Sequence, residues 1–222
     1  MLISCKSKND YNKSKLNQSS NDSLIVDCNY TFDQAIAGSK APQYIIDQLT
    51  LLDVIYYSID NKLHKGQILT NKLIAEDIRY MFDFMLKKKF PIAHAIPIVK
   101  YHWDDILSMQ DNNTYSFCYR NVSYSEHAIG MAIDINPFLN PMHWKEGHKY
   151  GYRKDEPEGA VHDPKVKGTF TSENEVVLEF QKRHFHWGHT MTEKYDDHHF
   201  EKAGLRKTKT VMVDSVTLDS IQ

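Results

Sequence analysis

A chain of 222 residues is long enough for one well-cored domain and short for two. Its formal net charge of −2, from 27 basic and 29 acidic residues, gives no electrostatic case for binding nucleic acid or an anionic membrane surface. The three cysteines, Cys5, Cys28 and Cys118, are an odd number without metal-ligand spacing and form no disulfide framework, and no run approaches the roughly 20 apolar residues needed to span a bilayer.

Leu2-Ile-Ser-Cys5 reads like the end of a bacterial lipoprotein signal, in which the cysteine becomes the lipidated first residue. The charged and apolar regions that belong before it are missing from the sequence, so a lipid anchor at Cys5 and a chance match both stay open. Residues 6–23 are too poor in apolar side chains to fold, and residues 1–29 read as a flexible segment. The folded domain is expected over 30–203, followed by a polar tail over 204–222.

Thr31 to Gly38 predicts a short helix capped by Thr31 and stopped by Gly38. Gln48 to Ser58 is apolar and β-branched and predicts a strand, Asp60-Asn61 a turn, and Gly66 to Thr70 the returning strand. Asn71 to Lys89 is the clearest helix, with Leu73, Ile74, Ile78, Met81, Phe82 and Met85 at three- and four-residue steps. Phe90 to Val99, between two prolines, predicts a strand, Trp103 to Met109 a short helix, and Gln110 to Thr114 a polar turn. Met131 to Ile135 predicts a strand with Met131, Ile133 and Ile135 on one face and Ala132 and Asp134 on the other. Residues 136–168 form a long excursion rich in Pro and Gly, a length at which loops are commonly functional rims. Ser172 to Phe185 returns to helical spacing, with Ser172 and Glu175 as a capping box. A loop around Trp187 and a short strand at His199 to Glu201 complete the domain.

Two segments carry chemistry. Ser125 to Asp134 offers an imidazole, His127, and a carboxylate, Asp134, seven residues apart around Gly130. Asp196 to Glu201 offers another carboxylate and imidazole three residues apart, Asp196 and His199. Two histidines and one aspartate suffice to hold a zinc ion, and one carboxylate is left to move protons, which is the minimum equipment of a hydrolytic zinc site. Twelve histidines, eight of them after residue 140, make spacing rather than number the argument, and His184, His186, His189 and His198 compete with His199.

The pattern Ser125-x-His127-x-x-Gly130-x-Ala132-x-Asp134, followed by Asp196-x-x-His199, resembles the zinc D-alanyl-D-alanine carboxypeptidases and L-alanyl-D-glutamate endopeptidases, bacterial and phage peptidoglycan enzymes related in fold to the hedgehog signalling domain. Pro91-Ile92, Asp111 to Thr114, Ser116 to Arg120, Ile135 to Pro137, Asn140-Pro141, Trp187-Gly188 and His199 to Glu201 extend the resemblance over residues 30–203. It implies an α+β fold, a small central antiparallel sheet flanked by helices, with one Zn2+ per chain in a cleft on the sheet.

By the same resemblance His127, Asp134 and His199 are the ligands, because Phe200 and Glu201 fix the register of the last. Asp196 is the general base and Arg120 the electrophilic clamp. Ser125, Trp187, His189 and Glu201 are candidates for substrate contact or support of the ligands, Asp197 for a solvated loop acid and Cys118 for a buried thiol. The partner implied is the peptidoglycan stem peptide, with no nucleic acid, no transmembrane segment, and membrane attachment only through Cys5. The location implied is the cell envelope. A catalytically silent zinc module that binds cell wall or protein is the competing reading.

Overall fold

The computed structural model describes residues 24–149 and 154–202, so Cys5 and the tail lie outside the described residues. In chain order these form β1 (Ile25–Val26), α1 (Phe32–Ile36), α2 (Gln43–Ile46), β2 (Leu49–Tyr57), β3 (Leu63–Asn71), α3 (Ala75–Lys88), β4 (His94–Ala95) and α4 (Asp105–Gln110). There follow β5 (Asn113–Thr114), β6 (Ala132–Asp134), β7 (Met142–Trp144), α5 (Glu175–Lys182), β8 (His186–Trp187), β9 (Lys194–Asp196) and β10 (His199–Glu201). The fold is α+β. Its strands form a mixed sheet in the order β1-β3-β2, an antiparallel sheet β6-β10-β8, and the pairs β4-β5 and β7-β9. The fold reaches back past the expected start at Tyr30, since Ile25 and Val26 pair in parallel with His64 and Lys65.

β2 and β3 are a nine-residue hairpin in register from Leu49↔Asn71 to Tyr57↔Leu63. Asn61 turns it with φ +63, a left-handed conformation that Asn tolerates well. α1 has the expected Thr31 cap, its Oγ1 accepting from the Gln34 N–H, and Gln34 Oε1 accepts in turn from the Thr31 N–H, which completes a capping box. α3 starts at Ala75 and not at Asn71, because Asn71 closes the hairpin: its Nδ2 donates to the Ile129 carbonyl and its Oδ1 accepts from Leu73 N. Leu73 consequently stands exposed outside the helix. α5 is capped by Asn174 rather than Ser172, its side chain accepting from Val176 N.

One apolar cluster joins α3, α5 and the antiparallel sheet through Ile78, Phe82, Phe180, Ile133 and Phe200. Phe180 stacks on Phe200 at 4.3 Å, and Met131, Ile133 and Ile135 enter this core as their alternation predicts. The other face of β6 and β10 carries the polar residues described below.

Candidate metal centre

β6 and β10 pair so that His199 lies directly opposite Asp134. Directly paired residues project to the same side of a sheet, which brings together side chains 65 positions apart in sequence. The third group, His127, comes from a single 3-10 turn, Glu126–Ile129, closed by Gly130 at φ +69. That turn is tied to the end of the hairpin by Asn71 N, which donates to the Gly130 carbonyl, and to the segment after β5 by Cys118 N, which donates to the His127 carbonyl. A Cβ on Gly130 would stand 2.8 Å from Asn71 N, so both the backbone conformation and the close approach demand glycine.

His127 Nε2, Asp134 Oδ1 and His199 Nδ1 form a triangle with all three sides 3.0 Å. Tautomers follow from the far side of each ring. His127 Nδ1 lies 2.7 Å from the Ser116 carbonyl, an acceptor only, so Nδ1 donates and Nε2 carries the lone pair. His199 Nε2 donates to Glu201 Oε2 at 3.0 Å, leaving the lone pair on Nδ1. Two ring lone pairs and a carboxylate oxygen, all buried, therefore converge with no donor among them.

Such a triangle needs a cation. Ligand atoms about 2.0–2.1 Å from a tetrahedral zinc lie about 3.3 Å from one another, close to the observed 3.0 Å. Two imidazoles and a carboxylate are also its ordinary donors, so the residues fit zinc. Electrostatics point the same way. Burial opposes charge on Asp134, yet His127 and His198 hold its carboxyl well below the usual range. Burial likewise opposes a proton on His199, but hydrogen bonds to Asp134 and Glu201 push its pKa up to about 10.

The triad lies in a cleft of about 270 Å³ whose lining includes Arg120, Ser125, Lys194, Asp196 and Glu201. Asp196 is buried at the end of β9, opposite Met142 of β7. Its Oδ2 accepts from Lys194 Nζ at 2.5 Å. His198 Nε2 comes within 3.0 Å of Oδ1 but out of hydrogen-bond alignment, which leaves Oδ1 buried and unpartnered. Burial resists its ionisation, and His198 with Lys194 overcomes this and lowers its pKa. Arg120 donates to Asp105 Oδ2 at 2.5 Å, and both line the cleft.

Trp187 and His189 do not line the cleft. Trp187 is buried and its Nε1 donates to the Asp197 carbonyl, pinning the turn between Asp196 and His199. His189 stacks on Trp187 and bonds Asp197 Oδ1 at 2.6 Å. Asp197 is accordingly a buried anchor and not a solvated acid. Gly188 is required here too, since a Cβ would meet the Asp196 carbonyl oxygen at 2.5 Å. His184 and His186 are exposed. Cys118 is buried, and burial raises its thiol to about 12, which makes it inert.

Sequence reading missed Asp105, Lys194 and His198. Lys194 had a signal: two residues before Asp196 in a strand, it must share a face with it. His198 was visible only as a rival ligand, whereas its Nδ1 donates to the Asn140 carbonyl and its Nε2 faces the carboxylates of Asp196 and Asp134. Residues 120–202 match a family model described as D-alanyl-D-alanine carboxypeptidase. Comparison with curated proteins and with solved structures returned no match.

Proposed function

Because residues 120–202 match the D-alanyl-D-alanine carboxypeptidase family and fold round one His-Asp-His triad, we propose that the protein is a zinc-dependent peptidase that hydrolyses peptide bonds in bacterial peptidoglycan stem peptides. The observation that carries this reading is the convergence of three buried acceptor atoms, 3.0 Å apart, in an open cleft that a second aspartate, Asp196, also lines. Zinc supplies Lewis acidity, which polarises a carbonyl and acidifies water.

The chain's own groups do the rest. His127, Asp134 and His199 hold the ion, and Ser116 and Glu201 hold the two rings in the right tautomers. Asp196 Oδ1 is aimed into the cleft with no hydrogen-bond partner, the state required of a base that receives a proton from attacking water and returns it to the departing amine. Arg120 spends one amino group on Asp105, and its remaining N–H groups serve the oxygen that gains charge as the carbonyl is attacked. Glu201 orients His199 and lies too close to it to act as a separate acid. Ser125 lines the cleft at the start of the His127 turn and serves substrate positioning.

The bonds that fit are the terminal D-Ala–D-Ala bond and the L-Ala–D-Glu bond, and the substrate sets the place of work at the cell envelope. The intact Asp196 supports a working enzyme over a silent binding module. The test separates metal from chemistry. Asp196→Ala is expected to keep its zinc and lose turnover by about 10²–10⁴-fold, while His199→Ala loses both. Loss of zinc in His189→Ala with retention in His199→Ala would overturn the ligand assignment.

A further inference from the structure

Both candidate bonds share one chemical feature. The amide nitrogen that leaves sits on a carbon that also bears a free carboxylate: the terminal carboxylate of D-Ala in one case, the α-carboxylate of γ-linked D-Glu in the other. Within an amino acid, carboxylate oxygens lie about 3 Å from the nitrogen on the same carbon. A cation that reads this carboxylate must therefore stand next to the group that serves the nitrogen.

Among the described residues the cleft lining holds two permanent cations, Arg120 and Lys194. They occupy different places. Arg120 is committed to Asp105, and its other charged neighbours include Asp134. Lys194 stands on the proton-transfer side, with Nζ 2.5 Å from Asp196 Oδ2. β9 fixes this placement, because residues two apart in a strand share a face. Tyr195 between them turns outward and packs its ring at a tilt against His189, centroids 4.9 Å apart. An ammonium has three N–H donors. One of them goes to Asp196, and the side chain, 30% exposed, keeps access to the cleft.

We propose that Lys194 recognises the free carboxylate on the residue that supplies the scissile amide nitrogen, and so restricts the enzyme to bonds followed by such a carboxylate. This rests on the peptidase reading above and deepens it. Interior peptide bonds, whose following carboxyl is itself an amide, lack the partner charge. Recognition by Lys194 in this way unites the two candidate bonds under one requirement.

The experiment pairs each substrate with its amide: a stem peptide containing L-Ala–γ-D-Glu against the same peptide with the α-carboxylate as carboxamide, and a peptide ending in D-Ala–D-Ala against its C-terminal amide. The zinc-loaded wild-type protein is expected to favour whichever carboxylate substrate it cleaves by about 10- to 100-fold in kcat/KM. Lys194→Met should reduce that ratio to about 1, and Lys194→Arg should keep it. Removing the lysine also strips Asp196 of its ion pair, so the ratio between paired substrates is the readout, with zinc content measured alongside. A ratio that survives in Lys194→Met, or a wild-type protein indifferent to the amide, overturns the proposal while leaving the peptidase reading intact. A zinc-loaded wild-type protein that cleaves none of the four overturns the peptidase reading itself.

Discussion

The state of each metal ligand is set on the side of the ring away from the metal. Glu201 fixes which nitrogen of His199 faces the triangle, and its own carboxyl is held ionised despite burial by the hydrogen bond from His199. Glu201→Gln should therefore weaken zinc affinity by about 10–100-fold, read by competition with a chromophoric chelator. pH gives a second handle. The raised pKa of His199, about 10 against 6.5 in an unfolded chain, stabilises the metal-free fold fully below pH 6.5, and this stability is lost as pH rises through 10. The melting temperature of chelator-treated protein should fall between pH 7 and pH 10, and the zinc-loaded protein, whose His199 has given up that proton, should lack this component of the fall. Gly188 is limiting for space rather than chemistry. Gly188→Ala drives a methyl into the Asp196 carbonyl and to 3.1 Å from His199 Cβ, and should lower both kcat and zinc content.

At the scale of elements, the difference between expected and observed structure comes down to which group supplies a hydrogen bond. Asn174, and not Ser172, caps α5. Asn174→Ala should cost about 1 kcal/mol in denaturant unfolding, and Ser172→Ala close to nothing. The hairpin β2-β3, α1, α3 and the alternation of Met131 to Ile135 are legible in the sequence because period and propensity agree there. Phe90 to Val99 is legible only in part, since the strand expected there is confined to His94–Ala95, which pairs with β5. Its apolar residues are buried as a strand's would be, but asparagine side chains stand in for a neighbouring strand. Asn136 accepts from Ala93 N and donates to the Pro91 carbonyl, while Asn113 binds both N–H and C=O of Ile96. No local pattern announces a partner 43 residues away. The excursion over 136–168 is held similarly: Asn140 donates to the Gly168 carbonyl and accepts from Phe170 N. Within it β7 pairs with β9, which makes part of the supposed rim a support for Asp196.

Over the whole molecule the site is a junction of two parts of the chain. One part brings the His127 turn and β6, the other brings β9 and β10, and the pairing Asp134↔His199 closes the triangle between them. An ion bound there acts on the fold as a cross-link. Zinc at a thousandfold excess over its dissociation constant stabilises a protein by about 4 kcal/mol. Chelation should accordingly lower the melting temperature by several degrees, reversibly on adding zinc back. The His127, Asp134, His199 and Asp196 constellation was readable in the sequence, as a zinc donor set with a spare carboxylate from residue type and spacing, and with His199 chosen among its neighbouring histidines by the resemblance. Asp105 and His198 were not, because each acts through a neighbour that only the folded chain supplies, and Lys194 becomes legible only once residues 194–196 are known to be a strand. The most direct measurement is mass spectrometry of defined muropeptides incubated with the zinc-loaded protein. Release of terminal D-Ala, or cleavage between L-Ala and D-Glu, that disappears in Asp196→Ala with zinc retained is the predicted result, and intact stem peptides with zinc bound would contradict it.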